Sequence, residues 1–136
     1  MRIKLRRARR LMVLYQISNT KLTIMVKTIG SFIMEDNGNG NLSSNYLERT
    51  SDLVYGETST LVNHAIKNVI PFEGSYDTVW FDQKNISITS KLEIKRINSN
   101  VYVLEWNNFS VSSAIIHKGH GFISNGKLVG SYWSSE

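Results

Sequence analysis

The sequence predicts an all-β protein, an antiparallel meander barrel of about eight to ten strands, in a single domain spanning residues 1–136. Three observations support this fold class: hydrophobic residues alternate with a period of two, the alternating segments are rich in β-branched and aromatic residues, and Asn-Gly pairs separate them. Because an open sheet of this many strands curls, we expect it to close and so lose its free edges.

The strands are predicted from segments in which apolar and polar residues alternate, as expected where successive side chains point to opposite faces. Val, Ile, Tyr, Trp and Thr dominate these segments, and such residues fit a pleated surface. The clearest segments are LTIMVKTIGSFIM (22–34), YDTVWFD (76–82), KLEIKRI (91–97) and VYVLEW (101–106).

Turns are predicted where Asn and Gly stand together, because both tolerate the positive φ of a hairpin turn. These positions are Asn37-Gly38, Asn39-Gly40 and Asn125-Gly126, and INSN (97–100) predicts a further tight turn. Pro71 lies between the two halves of the chain, where it interrupts no strand.

One segment departs from this pattern and predicts a short helix near residues 59–70. STLVNHAIKNVI places Leu61, Val62, Ala65, Ile66 and Val69 at helical spacing. Ser59 or Thr60 is suited to cap its first turn.

An internal repeat is indicated by a phrase that occurs twice. Phe32-Ile33 aligns with Phe122-Ile123, VLYQIS (13–18) aligns with VLEWNN (103–108), and each copy continues through an Asn-Gly turn to Leu and then Tyr. We therefore predict two similar meanders, about 1–58 and 72–136. Since nothing equivalent to FEGSYDTVWFD (72–82) precedes the first copy, either the chain begins within a meander or a first strand is missing.

Residues 72–133 resemble a known family through an ordered set of phrases: GSY at 74–76 with Trp80, SKLEIKRINSNVYVLEW, GHGF and NGKLVGSYW. They resemble lipocalin-like (calycin-type) barrels, in particular small bacterial proteins of uncharacterised function; avidin-type barrels share the meander. The resemblance implies a barrel that holds a small apolar molecule, in a family whose members are often exported. It departs from the lipocalin G-x-W motif, since Tyr76 takes the Trp position and lies in mid-chain.

Aromatic side chains are the candidate ligand-binding residues. On the predicted strands Tyr76 and Trp80 share one face, Tyr102 and Trp106 share another, and Tyr132 shares a face with Leu128. One interpretation is that these five aromatics line a cavity, with apolar area for a ligand and polar groups that orient it. The alternative is that they fill the interior of a small barrel.

Catalytic and metal-binding constellations are not indicated by the sequence. His117 and His120, three residues apart on a strand, are expected on opposite faces, and His64 is distant. The carboxylates considered, Asp77, Asp82, Glu93 and Glu105, are scattered, and no acid–base pair is apparent. We expect no cofactor, no metal site and no enzymatic activity.

Basic residues are concentrated in one segment. The net charge is +5, yet residues 2–10 contain six of the sixteen lysines and arginines, and the remainder is close to neutral. Arg6, Arg7, Arg9 and Arg10 are candidate contacts for phosphates. Nucleic-acid binding is nevertheless disfavoured, because no aromatics interleave for base stacking, and a solvated, charge-protected edge strand is the alternative.

Composition excludes several classes of protein. Without cysteine there is no disulfide framework or thiol nucleophile. LMVLY (11–15) is too short for the core of a secretory signal, and no apolar run is long enough for a transmembrane helix; a cytoplasmic location is the default expectation.

Taken together, the sequence predicts a non-enzymatic barrel that binds a small apolar ligand. The alternative is an interaction module that binds protein or nucleic acid through residues 2–10. An isomerase or cyclase that uses a barrel cavity is a third class, without a catalytic constellation to support it.

Overall fold

The predicted all-β fold is confirmed. A computed structural model describes residues 28–62, 70–81, 85–108 and 116–135, together with the backbone of the short strands 15–17 and 22–24. The ten strands are β1 (Tyr15–Ile17), β2 (Leu22–Ile24), β3 (Ile29–Gly38), β4 (Asn41–Glu48), β5 (Val54–Leu61), β6 (Gly74–Phe81), β7 (Ser87–Asn98), β8 (Val101–Asn108), β9 (Ile116–Ser124) and β10 (Lys127–Ser135).

Eight of these strands, β3 to β10, form a closed antiparallel barrel. Each strand pairs with the next one along the chain, and β10 pairs with β3, from Leu128 opposite Met34 to Trp133 opposite Ile29. This is the predicted meander barrel, an architecture compatible with a calycin-type fold. β1 and β2 pair with each other in a separate two-stranded sheet.

Two of the predicted Asn-Gly turns are confirmed. Asn39 and Gly40 have φ values of 56° and 80°, and Asn125 and Gly126 have 54° and 77°, as hairpin turns with positive φ require. Asn37-Gly38 is not a turn, because it ends β3 beside a shift in register between Asp36 and Gly38. The tight turn predicted at 97–100 joins β7 to β8.

The prediction of a helix near 59–70 is wrong for its first three residues, 59–61. Ser59–Leu61 ends strand β5, where Ser59 and Leu61 point inward and Thr60 is exposed, so the period of two that starts earlier in the strand continues. Residues 63–69 lie outside the described residues. The part of the chain that the structure describes contains no helix, and so none that is long and apolar enough to cross a membrane.

The barrel interior is divided along its length into two parts. We call one the apolar end; it lies near the β3–β4, β7–β8 and β9–β10 hairpins and contains Met34, Leu42, Leu61, Phe72, Ile94, Tyr102 and Leu128. We call the other the polar end; it lies where β4, β6, β8 and β10 finish and contains Tyr46, Glu57, Trp80, Trp106, His117 and Tyr132.

Phe72 fills the apolar end. It is 2 % exposed, and its ring lies 6.4 Å from that of Tyr102 in an edge-to-face arrangement. Its φ of 71° is unfavourable for a side chain with a Cβ. The burial of a Phe side chain, worth about 1.5–3 kcal/mol, offsets that cost, and the Tyr76 hydroxyl donates a hydrogen bond to the Phe72 carbonyl at 2.9 Å.

Glycines permit the close approach of β9 and β10. Gly121 and Gly130 lie opposite each other in the ladder. A Cβ on Gly130 would lie 2.2 Å from the His120 carbonyl oxygen, and one on Gly121 would lie 2.4 Å from that of Val129. The glycines in GHGF and KLVGSYW therefore have a steric role in closing the barrel.

The proposed repeat is only partly reflected in the positions of its residues. Phe32 is buried, whereas its partner in the alignment, Phe122, is 51 % exposed. The segment 15–17 lies in β1, outside the barrel, whereas its counterpart lies in β8. Two aligned pairs do point inward, Leu42 with Leu128 and Tyr46 with Tyr132. The repeat of two whole meanders stays a prediction.

The close approach of β9 and β10 predicts a position-specific effect of added methyl groups. Gly130→Ala should lower the free energy of unfolding by about 1–3 kcal/mol, because the strands must move apart. Gly56→Ala is the matched control, since its Cβ would meet nothing closer than 3.9 Å. Urea unfolding followed by circular dichroism measures both, and equal losses would contradict the steric role.

Candidate functional site

A cavity of about 380 Å³ lies inside the polar end of the barrel. Its lining is largely aromatic, with two carboxylates and one imidazole among the aromatic rings. The lining residues are Thr28, Tyr46, Glu48, Tyr55, Glu57, Trp80, Ser90, Trp106, His117 and Tyr132.

Strand register brings these side chains together from distant parts of the sequence. Tyr46 lies opposite Tyr55, Glu57 lies opposite Trp80, and Trp106 lies opposite His117. Directly opposed residues of an antiparallel pair point to the same face. Since one member of each pair points inward, the other does as well, and a ring of functional side chains results.

Glu57 is the most unusual member of this ring, because it is a carboxyl group that is only 4 % exposed. The Tyr46 hydroxyl donates a hydrogen bond to Glu57 Oε1. Burial raises the pKa of Glu57 to about 7, although hydrogen bonds with Tyr46, Thr78 and Trp106 act in the opposite direction. Glu57 therefore changes its charge near neutral pH.

Burial shifts the pKa values of three other titratable groups of the cavity, Tyr46, Tyr132 and His117, so that these groups are uncharged at neutral pH. Burial and the nearby Glu57 raise the pKa of Tyr46 well above its usual value. Burial, with smaller contributions from Glu48 and Tyr55, raises the pKa of Tyr132 to about 12. Burial lowers the pKa of His117. The tyrosines thus remain hydroxyl donors, and His117 is a neutral imidazole.

Four aromatic rings pack against one another beside the carboxyl group. The centroids of Tyr46 and Tyr132 are 5.4 Å apart, and Trp106 lies 6.1 Å from Tyr46 and 6.4 Å from Tyr132, all in edge-to-face geometry. Phe32 completes the cluster 6.1 Å from Trp106. Mutual packing of this kind holds the rings in defined orientations around the cavity.

Buried hydroxyl groups mark the boundary between the two ends of the interior. Ser59 Oγ donates a hydrogen bond to Thr78 Oγ1 at 3.0 Å, and Thr78 Oγ1 donates one to the Thr58 carbonyl at 3.1 Å. Because these groups satisfy one another and the backbone, they are stable inside the barrel. Ser90, also buried, continues the polar surface into the cavity.

The five aromatics predicted as ligand-binding residues divide between the two ends. Trp80, Trp106 and Tyr132 line the cavity. Tyr76 and Tyr102 are buried in the apolar end against Phe72. The two interpretations of the aromatics therefore apply to different parts of the barrel, cavity lining at the polar end and core packing at the apolar end.

Sequence reasoning missed Glu57, Tyr46, Tyr55 and Glu48. Alternation along β5 could have indicated that Glu57 points inward, because it lies on the same face as the buried residues Ser59 and Leu61. The expectation that His117 and His120 lie on opposite faces of a strand is confirmed. His117 points into the cavity, whereas His120 is exposed on the outer face.

The remaining candidates that the structure describes do not line the cavity. Asp77 is exposed and pairs with Lys91 at 3.5 Å on the outer surface. Among the described residues, no group of His, Asp and Glu side chains is arranged to hold a metal ion. Asp82, His64 and the candidate anion contacts Arg6, Arg7, Arg9 and Arg10 lie outside the described residues.

Comparisons with known proteins give no match: no protein-family model, no curated protein and no solved structure matches this chain.

Burial of Glu57 predicts a pH-dependent contribution to stability. Its folded-state pKa of about 7 lies above the ordinary value of 4.5, so the folded protein binds the proton more tightly than the unfolded chain. Stability from this group is fully present below about pH 4.5 and is lost as pH rises through 7. The free energy of unfolding of Glu57→Gln, taken relative to that of the native chain, should therefore rise by about 2–3 kcal/mol between pH 5 and pH 8.

Urea unfolding of both proteins at the two pH values measures this gain. Glu105→Gln is the matched control, because Glu105 lies on the outer face of β8. A gain equal to that of the control would contradict the burial of an ionisable Glu57.

Proposed function

We propose that this protein binds a small molecule in the cavity at the polar end of the barrel and that it acts by binding, without catalysis. The observation that carries the proposal is a buried carboxyl group, Glu57, beside a cavity that the side chains of one barrel end leave unfilled. A barrel that served only as a packed scaffold would gain stability from an apolar residue at this position.

The size of the cavity limits the class of ligand. Sites for small molecules have volumes of about 300–1,000 Å³ and are lined by aromatic side chains with a few polar groups. At about 380 Å³, this cavity is at the small end of that range. The ligand is therefore a compact molecule, at the small end of the sizes that such sites hold.

The binding mechanism is desolvation of the ligand against aromatic rings, with orientation by hydrogen bonds. Trp80, Trp106 and Tyr132 supply apolar area, and burial of such area contributes about 25 cal/mol per Å². The Tyr46–Glu57 pair supplies a donor and an acceptor at a fixed position. Since these groups are already ordered by the barrel, binding loses little side-chain entropy.

The resemblance to lipocalin-like barrels supports the same proposal, because that family holds small apolar molecules within a meander barrel. The motif departure lies away from the proposed site: Tyr76, at the position of the lipocalin Trp, donates its hydroxyl to the backbone in the apolar end.

A substitution that fills the cavity should abolish binding without loss of the fold. Ser90 is buried and lines the cavity, so Ser90→Phe should prevent saturable binding of the neutral probe N-phenyl-1-naphthylamine. Thr89→Phe is the matched control, because the neighbouring side chain is exposed on the outer face. Probe fluorescence measures binding and circular dichroism the fold; equal binding by the two variants would contradict a site inside the barrel.

The three tryptophans allow the site to be located directly. Trp80 and Trp106 line the cavity, whereas Trp133 lies on the outer face beside Lys118. In a variant that retains only Trp106, the contact quencher 4-bromobenzyl alcohol should reduce emission with saturation. In a variant that retains only Trp133, the quencher should act only by collision. The ratio of unquenched to quenched emission should then rise linearly with quencher concentration, without saturation. Saturable quenching confined to Trp133 would place the site outside the barrel.

A further inference from the structure

We propose that the ligand is a small organic cation, whose ammonium group lies at Glu57 and whose apolar part lies against the surrounding aromatic rings. This inference rests on the proposed function, because it specifies the ligand of the same cavity.

Acidic side chains outnumber basic ones among the described residues of the cavity lining. Among the ten described residues that line the cavity, two have carboxyl groups, Glu48 and Glu57, and none is lysine or arginine. The ion pairs among the described residues lie elsewhere: Lys91 with Asp77 and Lys127 with Glu35 are both on the exposed surface. An anionic ligand would therefore meet repulsion without a compensating cation, whereas a cation would meet attraction.

Glu57 has neutral hydrogen-bonding partners and no ion pair among the described residues. Its ionised form is costly inside the barrel, because a buried charge is stable only when it is paired. A ligand ammonium group would supply the missing partner and donate hydrogen bonds to the carboxylate. A cation therefore gains most at this buried carboxyl group.

The rings beside Glu57 favour the same ligand. Tyr46, Trp80, Trp106 and Tyr132 all line the cavity. A cation within about 6 Å of a Trp or Tyr ring face is attracted by its quadrupole, more strongly where water is excluded. A carboxylate combined with several aromatic rings distinguishes this site from a purely apolar one.

The other titratable groups that the structure describes around Glu57 do not supply the compensating charge. Tyr46 and Glu48 come from β4, Tyr55 from β5, His117 from β9 and Tyr132 from β10. The tyrosines, when protonated, are neutral, and burial lowers the pKa of His117, which keeps its imidazole uncharged. Glu48 is a second acidic residue of the lining.

Three benzyl compounds of similar shape and different charge test the inference: benzylamine, benzyl alcohol and benzoate. Calorimetric titration at pH 8 should give tightest binding for benzylamine, weaker binding for benzyl alcohol and none for benzoate. Glu57→Gln should weaken benzylamine binding by about tenfold or more and change that of benzyl alcohol by less than about threefold. Glu105→Gln, on the outer face, should change neither.

The pH dependence of binding gives a readout that a structural role of Glu57 would not produce. Because a cation requires the ionised carboxylate, benzylamine affinity should rise about tenfold from pH 6 to pH 8, given that the pKa of Glu57 is about 7. Binding at pH 6 should release close to one proton, measured as a dependence of the heat on buffer ionisation enthalpy. Both effects should persist in His117→Asn and disappear in Glu57→Gln.

The outcomes separate the inference from the function on which it rests. If benzyl alcohol binds as tightly as benzylamine, or benzoate binds most tightly, the cavity binds small molecules and the cation inference is wrong. If none of the three binds, the inference is also wrong, and N-phenyl-1-naphthylamine decides whether the binding function fails with it.

Discussion

Backbone pairing between β10 and β3 closes the sheet, and this closure determines which side chains lie inside the barrel. Once the ring of eight strands is complete, every second residue of a strand points into the interior, whether that residue is apolar or polar. Glu57 is inside because Ser59 and Leu61 on the same strand are inside. The chemistry of the cavity is thus a consequence of closure, and the glycines of β9 and β10 permit the close approach of those two strands within the closed ring.

The two ends of the interior have different physical roles. The apolar end buries large side chains, including Phe72 in an unfavourable backbone conformation, and supplies stability. The polar end retains a carboxyl group and a cavity, both of which cost stability. Proteins keep such costly features chiefly at functional sites. The division explains how a chain of this size combines a stable fold with a cavity, the proposed site, inside its own barrel.

The fold was predictable from the sequence because its main determinants are local. Alternation identified the strands, and Asn39-Gly40 and Asn125-Gly126 identified hairpins through the positive φ that these residues tolerate. The helix prediction failed at Ser59–Leu61, because a short apolar run fits both periods and the continuing strand decides between them. The cavity lining was less predictable: alternation indicated the inward faces of Trp80, Trp106 and Tyr132, but Glu57 and Tyr46 meet only through the register of β4 and β5.

The most direct test of this account is the pKa of the Glu57 carboxyl group, measured by ¹³C NMR titration of the side-chain carboxyl carbons with Glu57→Gln as the assignment control. A buried carboxyl group inside a closed barrel should titrate at about 7. A value at the ordinary 4.5 would mean that water reaches Glu57 freely, and it would contradict the buried site on which the proposed function depends.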